Sequence, residues 1–217
     1  MVKTKGIGIR GKTSAKIIKA CDPESPETAA SILNGGGVIV YPTETLYGIG
    51  ALASFRESVE KIFEIKGRPH GKAIPLLLKD TDMLERIAEM NDRISSLSDR
   101  FWPGPLTLVV KEISGLPELI TSGAGKVAVR VSDGEFVKRL FKYIDQPLCS
   151  TSANLSGAEN ILECDYIVET FEDKVDLIVD SGNLPPSKGS TILDITVSPP
   201  EILREGDVSA QDLKEFF

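Results

Sequence analysis

One short basic loop in this 217-residue sequence is well suited to chemistry on an anion. The segment Lys66-Gly67-Arg68-Pro69-His70-Gly71-Lys72 carries three Lys or Arg residues, and its glycines and proline favour a loop. Arg can form a bidentate fork with phosphate or carboxylate, whereas Lys supplies a compact point charge. The segment therefore predicts an anion site. A flexible surface loop with scattered charge is the alternative when it is considered alone.

Two further segments carry hydroxyl and amide side chains directly after predicted strands. Pro42-Thr43-Glu44-Thr45-Leu46-Tyr47-Gly48 follows one apolar run, and Ser150-Thr151-Ser152-Ala153-Asn154-Leu155-Ser156-Gly157 follows another. Open α/β sheets place ligand contacts at strand ends. Each segment is a weak signal by itself, because Ser, Thr and Asn also favour turns and helix caps.

The composition of the chain limits what such a site can do. There are 25 Lys and Arg residues against 32 Asp and Glu, which gives a net charge of −7, and one histidine, His70. Non-specific nucleic-acid affinity comes from many basic residues, so an acidic chain is a poor general nucleic-acid coat. A single histidine also argues against imidazole-based catalysis and multi-histidine metal sites. The chemistry must depend on Lys, Arg, Ser, Thr, Asn and carboxylates.

The cysteines and the hydropathy pattern predict a cytoplasmic protein. Cys21, Cys149 and Cys164 form no CxxC pair and are odd in number, so neither a disulfide framework nor a zinc site is expected. No apolar segment follows Met1, and no run approaches the roughly 18 apolar residues of a membrane span. We therefore expect a reduced cytoplasmic chain with no membrane partner.

The first residues contain a pattern typical of nucleotide-binding loops. Gly6-Ile7-Gly8-Ile9-Arg10-Gly11-Lys12-Thr13 satisfies GxxxxGK[ST], but a P-loop must follow a buried strand, and only Met1-Val2-Lys3-Thr4-Lys5 precedes it. We therefore expect residues 1–15 to be a mobile basic segment rather than a phosphate site. Ser122-Gly123-Ala124-Gly125-Lys126 lacks this spacing and is expected to lead into a strand.

Alternating apolar patterns indicate the elements that position these segments. Strand and helix patterns alternate, which predicts an α/β fold in one domain over residues 1–217, with no additional C-terminal domain. One helix is expected to begin with Ser25 as its N-cap and Pro26 at its first position, and another with the capping box Ser54-x-x-Glu57. Strands are expected at 38–41, 74–78, 106–110, 127–131, 147–150, 177–180, 192–196 and 202–204, and other helices at 82–90, 94–100, 135–143 and from 209.

Seven short blocks, taken in chain order, resemble the YrdC-type threonylcarbamoyl-adenylate synthases. The blocks are Pro42–Gly48, Lys66–Pro69, Trp102–Thr107, Val127–Arg130, Ser152–Gly157, Ser190–Asp194 and Ile202–Gly206, and they include the family's K-x-R and S-x-N signatures. Seven ordered blocks over about residues 37–206 are more specific than any one of them. The resemblance implies a twisted, open mixed β-sheet flanked by helices, with a central positively charged cavity.

The resemblance also implies a nucleotidyltransferase that makes L-threonylcarbamoyl-AMP and pyrophosphate from ATP, L-threonine and bicarbonate. This product serves the N6-threonylcarbamoyladenosine modification of tRNA, so a tRNA threonylcarbamoyl transferase is an implied recipient, with weak tRNA binding besides. A carbamate oxygen displaces pyrophosphate from the α-phosphorus, which requires in-line positioning and charge neutralisation rather than a protein nucleophile. Mg²⁺ is expected on the phosphates, with no assigned protein ligand and no organic cofactor.

Site residues follow from their positions in or beside the matching blocks. By this resemblance, Lys66 and Arg68 act in catalysis. The implied ATP site comprises Lys66, Arg68, Lys72, Ser152, Asn154, Asn160 and Arg204, and the implied threonine site comprises Thr43, Thr45, Arg130, Ser150 and Ser190. Arg130 is expected to pair with the threonine carboxylate, because a guanidinium fork suits that group.

The chain departs from the family pattern at two places. Val131-Ser132-Asp133-Gly134 follows Arg130 where relatives commonly carry Pro and a His-Pro pair, which affects the outer wall of the threonine pocket. The usual Ser-Pro-Thr after Gly157 is absent, and Asn160 lies where a nucleotide-contacting Ser often falls.

Two other functions stay open at this point. One is a carbamoyl-adenylate-forming or other nucleotide-binding enzyme, as in the related domain of hydrogenase-maturation carbamoyltransferases. The other is a non-catalytic module that binds double-stranded RNA or tRNA, since a basic concavity can hold a phosphodiester backbone.

Overall fold

A single ten-stranded sheet organises residues 14–69 and 71–217, which are the residues that the structure, a computed structural model, describes. The strands are β1 (Lys16–Lys19), β2 (Ile39–Pro42), β3 (Tyr47–Leu52), β4 (Leu76–Leu78), β5 (Leu106–Lys111), β6 (Lys126–Val131), β7 (Leu148–Ser152), β8 (Leu177–Asp180), β9 (Thr191–Asp194) and β10 (Glu201–Arg204). The helices are α1 (Ser25–Asn34), α2 (Arg56–Lys66), α3 (Thr81–Glu85), α4 (Asp92–Phe101), α5 (Glu118–Thr121), α6 (Glu135–Leu140) and α7 (Cys164–Phe171), and a 3₁₀ turn lies at Lys214–Phe216.

The sheet is mixed and has two open edges. Its strand order is β1-β8-β2-β3-β7-β4-β6-β5-β9-β10. The pairs β1/β8, β8/β2, β4/β6 and β5/β9 are parallel, and the others are antiparallel. The predicted open mixed sheet with accompanying helices is therefore confirmed.

The centre of the sheet is covered on both faces. Every residue of β2, β3 and β4 is buried, and continuous burial along a strand means that neither face meets solvent. Leu148 of β7 and Ile178 of β8 are fully buried as well. This apolar centre is the rigid frame from which the loops of the site project.

Strand β3 falls partly within a segment that the sequence presents as a ligand loop. Its glycines disfavour a strand by propensity, but the structure requires one of them. A Cβ on Gly50 would lie 2.7 Å from the Cys149 carbonyl oxygen and 3.1 Å from Cε1 of Tyr41. Glycine therefore lets the Tyr41 ring lie directly against β3.

The predicted helix start at Ser54 is wrong. Helix α2 begins at Arg56, with Phe55 at the N-cap and no side-chain cap. Phe55 packs against the core, and its carbonyl oxygen accepts hydrogen bonds from the amides of Ser58 and Val59. The packing of Phe55 thus places the first turn after it rather than after Ser54.

The start of α1 differs by one residue from prediction. Glu24 occupies the N-cap, Ser25 is the first helical residue, and Pro26 lies in the first turn. The Ser25 hydroxyl donates to the Asp22 carbonyl oxygen at 2.7 Å, and the Ala20 carbonyl oxygen lies 3.1 Å from the same Oγ. Ser25 therefore stabilises the turn before the helix instead of capping the helix amides.

Other differences are confined to short elements. Strand β1 and helices α5 and α7 were not predicted; α3 ends well before residue 90, and the expected helix from 209 is only the 3₁₀ turn. The strand expected from 74 begins at Leu76, since Pro75 has no amide hydrogen to donate. The GxxxxGK[ST] pattern lies outside the described residues. Ala15, at the end of the expected mobile segment, is buried, and its amide donates to the Glu172 carbonyl oxygen at 2.6 Å.

Candidate active site

A polar cavity of about 90 Å³ lies where loops from both halves of the chain meet. Seven of the predicted site residues line it: Thr43, Thr45, Arg130, Ser150, Ser152, Ser190 and Arg204. They come from the β2–β3 turn, from β6 and β7, and from the start of β9 and the end of β10. The sheet order therefore gathers side chains that are up to 161 positions apart, from 43 to 204.

The hydroxyl groups of the β2–β3 turn form a fixed hydrogen-bond chain. Thr43 Oγ1 donates to the Leu46 carbonyl oxygen at 2.7 Å, and it accepts from the Leu46 amide at 3.1 Å. Because Thr43 has one hydroxyl hydrogen, its 3.1 Å contact with Thr45 Oγ1 must be donated by Thr45. The two threonines therefore close the turn and offer an acceptor, Thr45 Oγ1, to a neighbouring cation.

That cation is Arg130, a residue that is 7% exposed. Its Nε donates to the Gly104 carbonyl oxygen at 3.1 Å, and Nη1 and Nη2 donate to Thr45 Oγ1 at 3.4 and 3.3 Å. Nη2 also forms an ion pair with the Glu44 carboxylate. Most of the Arg130 fork is therefore occupied by protein groups.

Arg204 also lines the cavity, and its hydrogen bonds within the described part of the chain go to one residue, Ser190. Its Nε and Nη2 donate to the Ser190 carbonyl oxygen at 3.1 and 2.6 Å, and Nη2 also contacts Ser190 Oγ at 3.2 Å. Burial and the nearby charge of Arg130 lower the pKa of Arg204. Its Nη1 has no hydrogen-bond partner among the described residues, which leaves two N–H groups for a ligand.

Two serine hydroxyls in the cavity each have a hydrogen to donate. Ser150 Oγ accepts from the Tyr41 hydroxyl at 2.5 Å. Ser190 Oγ accepts from Thr107 Oγ1 at 2.8 Å and from Arg204. Since both oxygens are held as acceptors by buried protein donors, each serine can direct its own O–H at an anionic ligand.

Lys66 adjoins the cavity without lining it. It ends α2, where Gly67 adopts a left-handed conformation (φ 58°) that turns the chain away. The buried ammonium donates to Asn154 O at 2.7 Å, to Asn154 Oδ1 at 3.2 Å and to the Ser152 carbonyl oxygen. Lys66 thus holds the S-x-N loop in place, and burial, with a smaller effect from Arg68, lowers the pKa of Lys66 to about 8.

The other predicted ATP residues lie outside the cavity wall. Arg68 is half-buried, with Nη2 donating to Ala73 O at 2.6 Å, and burial lowers the pKa of Arg68. Asn154 is bonded within its own loop, to Ser152 Oγ at 2.6 Å and Ala158 O at 2.7 Å. Lys72 and Asn160 are exposed.

Four contributing residues were not assigned from the sequence: Tyr41, Glu44, Thr107 and Ser132. Glu44 and Thr107 lie inside two of the seven matching blocks, but the sequence analysis assigned no role to either residue. Tyr41 and Ser132 act through partners more than eighty positions away. No pattern along the chain reveals such pairs.

No metal centre is evident in the described part of the chain. Among those residues no group of three or more His, Cys, Asp or Glu side chains could hold a metal ion.

No helix among the described residues is long and apolar enough to cross a bilayer.

Comparison with known protein families places this site in context. Residues 31–206 match the Sua5/YciO/YrdC family, described as "Telomere recombination". The chain belongs to the Sua5/YciO/YrdC family. This result confirms the resemblance drawn from the seven ordered blocks.

Relatives within the family carry related names. The chain is 35% identical over 188 residues to the threonylcarbamoyl-AMP synthase of Pyrococcus abyssi, covering 86% of this chain and 55% of that protein. It is 35% identical over 182 residues to a putative threonylcarbamoyl-AMP synthase of Methanocaldococcus jannaschii, covering 84% and 85%. A Bacillus subtilis threonylcarbamoyl-AMP synthase is 31% identical over 195 residues, covering 89% and 56%. The chain thus spans about half the length of two of these curated relatives.

Solved structures of family members share the fold. P. abyssi Sua5 complexed with L-threonine superposes with a TM-score of 0.87 at 33% identity, over 94% of this chain and 61% of that one. Escherichia coli YciO gives 0.82 at 27% identity, over 94% and 98%. A full-length HypF in a phosphate- and nucleotide-bound form matches at 0.75 with 16% identity, over 83% and 29%. At that identity the HypF likeness shows the fold alone.

Proposed function

We propose that this chain is a threonylcarbamoyl-AMP synthase, a nucleotidyltransferase acting on ATP, L-threonine and bicarbonate for tRNA modification in the cytoplasm. The observation that carries the proposal is the cavity itself, where two guanidinium groups and two serine hydroxyls with free hydrogens converge. Relatives named for this activity cover most of the chain. A Sua5 relative has been solved with L-threonine bound.

The enclosed part of the cavity suits the amino acid. Arg130 and Arg204 supply positive charge, and Ser150 and Ser190 can donate to a carboxylate. A volume of about 90 Å³ is far below the roughly 300 Å³ of a pocket that encloses a drug-sized ligand. We propose that threonine occupies the cavity and that ATP lies across its mouth.

At that mouth, we place ATP beside the loops held by Lys66. Ser152 lines the cavity, and Asn154 and Ser152 are fixed by the buried Lys66 ammonium. Arg68 and the exposed Lys72 lie close by in the chain, where phosphate groups can reach them. Lys66, Arg68, Lys72, Ser152, Asn154, Asn160 and Arg204 remain the proposed ATP residues, and Thr43, Thr45, Arg130, Ser150 and Ser190 the proposed threonine residues.

The reaction needs no protein nucleophile in this arrangement. The threonine amine adds to bicarbonate, and loss of water yields a carbamate. A carbamate oxygen then forms a bond to the α-phosphorus, and the bond to the bridging oxygen breaks to release pyrophosphate. The protein holds the anions in line and neutralises their charge, which is work suited to Arg, Lys and fixed hydroxyls.

The family implies Mg²⁺ with the nucleotide, and the donor set defines how it would be held. In the cavity wall that the structure describes there are hydroxyl groups but no carboxylate, and the adjacent Glu44 is already paired with Arg130. Mg²⁺ commonly keeps several waters and binds substrate phosphates. We propose that the metal arrives on ATP, where it supplies charge neutralisation for the departing pyrophosphate.

The product is a reactive mixed anhydride, which must be passed on. We propose that a tRNA threonylcarbamoyl transferase consumes it and that any binding of tRNA by this chain is weak. We also propose that residues 1–217 act as a single domain.

The test is product detection by mass spectrometry. Purified protein is incubated with ATP, Mg²⁺, L-threonine and ¹³C-labelled bicarbonate, and Arg204→Ala serves as the site variant. We expect labelled threonylcarbamoyl-AMP and pyrophosphate, both dependent on threonine and both strongly reduced in Arg204→Ala. Turnover of carbamoyl phosphate without threonine would instead identify a carbamoyl-adenylate-forming enzyme. Tight tRNA binding without any turnover would identify an RNA-binding module.

A further inference from the structure

The segment after Arg130, where the chain departs from the family pattern, is built into the back of the amino-acid site. Ser132 Oγ and the Gly134 amide both donate to Glu44 Oε2, the latter at 3.2 Å. The other carboxylate oxygen, Oε1, accepts from Arg130 Nη2. Glu44 therefore connects the 132–134 segment to the guanidinium group that lines the cavity.

Glycine at position 134 permits this close approach. A Cβ there would lie 3.1 Å from the Glu44 amide nitrogen, 3.1 Å from Thr43 Cα and 3.3 Å from Glu44 Oε2. These distances are tighter than an ordinary carbon contact of about 3.5–4.0 Å. The missing side chain thus allows the 132–134 segment to pack directly on the β2–β3 turn.

The carboxylate stays charged in this position. Burial by itself would raise the pKa of Glu44, but the Arg130 charge and the hydrogen bonds from Ser132 and Arg130 together hold it below its ordinary value. Glu44 is partly buried and is absent from the cavity wall. It therefore contacts Arg130 from outside the residues that line the cavity.

The hydrogen bonds of Arg130 show what Glu44 accomplishes. A guanidinium group has five N–H donors. Nε is used by Gly104, both Nη2 donors are directed at Glu44 and Thr45, and one Nη1 donor makes the longest contact, 3.4 Å to Thr45. One Nη1 N–H has no partner in the described part of the chain, so Arg130 presents a single directed donor rather than a free fork.

We infer that Glu44, held by Ser132 and Gly134, is a positioning residue that orients Arg130 so that its Nη1 edge meets the carboxylate of the amino-acid substrate. This inference rests on the proposed function. The pair Arg130–Glu44 is close to neutral, so Arg204 provides the uncompensated charge for the ligand, and Arg130 provides direction.

The decisive variants are Ser132→Thr and Ser132→Val, which have the same shape and differ in the hydroxyl. Steady-state synthesis of threonylcarbamoyl-AMP is measured with threonine and ATP varied in turn. We expect Ser132→Val to raise the KM for threonine about fivefold over Ser132→Thr, since one hydrogen bond to a charged group is removed. The KM for ATP is expected to match in the two variants.

A stronger effect is expected from Glu44→Gln. The amide retains an acceptor for Arg130, but its NH₂ group opposes the Ser132 and Gly134 donors, and the compensating charge is lost. We expect the KM for threonine to rise at least tenfold, with the KM for ATP changed less than twofold. Asp133→Asn is the matched control, because Asp133 is exposed, forms an ion pair with Lys138 and has no hydrogen bond to Glu44 within the described part of the chain.

A second readout separates this inference from the proposed function. In ¹⁵N-labelled protein, a hydrogen-bonded Arg130 guanidinium gives slowly exchanging Nη–H signals in the wild type and in Ser132→Thr, which broaden in Ser132→Val and Glu44→Gln. These signals need no turnover, so they test the positioning even if wild-type protein makes no product. Equal threonine KM values for Ser132→Thr and Ser132→Val, a matching rise in the KM for ATP, or unchanged Arg130 signals would each overturn the inference.

Discussion

Lys66 shows how much a single side chain can organise at this site. Its ammonium has three N–H donors, and the three acceptors around it are two carbonyl oxygens and the Asn154 side-chain oxygen. All three of its N–H donors are therefore hydrogen-bonded to the loop that carries Ser152. We therefore propose that Lys66 acts on the nucleotide through that loop, and that Arg68 and Lys72 contact phosphate directly.

The depressed pKa of Lys66, about 8, leads to a pH prediction. Below that pH the group is a charged ammonium with three donors, and above it a neutral amine has only two, so one acceptor loses its partner. We expect kcat/KM of the wild type to decline as the pH rises through about 8. In Lys66→Arg this limb should be missing, because Arg does not titrate in that range.

The measurement is the ratio of wild-type to Lys66→Arg activity across pH 6.5–9.5, at saturating bicarbonate. Taking the ratio removes the titration of the threonine amine, which affects both proteins equally. A ratio that stays constant over this range would show that Lys66 does not titrate near pH 8.

At the scale of elements, the positions of Arg204 and Ser190 depend on a contact between the chain just before β9 and the chain just after β10, which we call the β9–β10 join. Gly206 follows β10, and its amide donates to Thr191 Oγ1 at 2.8 Å. A Cβ on Gly206 would lie 2.2 Å from the Gly189 carbonyl oxygen and 2.6 Å from the Thr191 nitrogen. Backbone therefore packs on backbone at this join, with no flexible side chain able to move aside.

We predict that Gly206→Ala lowers the free energy of unfolding by about 1–3 kcal/mol, the usual cost of overpacking. It should also lower kcat/KM, because separating the backbones displaces Ser190 and Arg204. Gly35→Ala is the control, since Gly35 has an ordinary φ of −85° and an added Cβ would lie 3.4 Å from Ile32 O. Denaturant unfolding and steady-state kinetics of both variants provide the measurement. Equal stability of the two variants would contradict this account of the join.

At the scale of the whole molecule, the site exists only when the sheet is complete. Its residues come from the β2–β3 turn, β6, β7, the start of β9 and the end of β10, and the sheet brings these separate parts of the chain together. Losing any one of those strands removes part of the cavity wall. Ligand binding should therefore be linked to global unfolding rather than to the opening of one loop.

We predict that threonine together with a non-hydrolysable ATP analogue raises the thermal midpoint of the wild type. At a ligand concentration about 100 times Kd, linkage adds about 2.7 kcal/mol to the free energy of unfolding. Arg204→Ala should show little of this increase at the same concentrations. The thermal midpoint is measured by calorimetry or circular dichroism. An equal increase in Arg204→Ala would show that the ligand binds elsewhere, with the segment around Lys12 as the next candidate.

Much of the architecture could be read from the sequence because it depends on local patterns. Apolar runs and glycine stops predicted most strands and the α/β class, and the ordered blocks identified the family and seven residues of the cavity wall. The failures were local patterns overruled by packing. Phe55 displaced the start of α2, and the close approach of the Cys149 carbonyl oxygen and the Tyr41 ring makes a glycine necessary at position 50 of β3.

The sequence by itself determined the kind of chemistry available: cations, hydroxyls and amides in loops, with one histidine in the chain. Only the tertiary structure decided which of those donors remain free. Arg130 and Glu44 are 86 positions apart, and Lys66 and Asn154 are 88 apart. The hydrogen bonds that occupy the donors of Arg130 and Lys66 therefore depend on how distant strands are aligned. The sequence gives each position its donor and acceptor groups, whereas the fold decides which of those groups already have a protein partner and which remain available to a ligand.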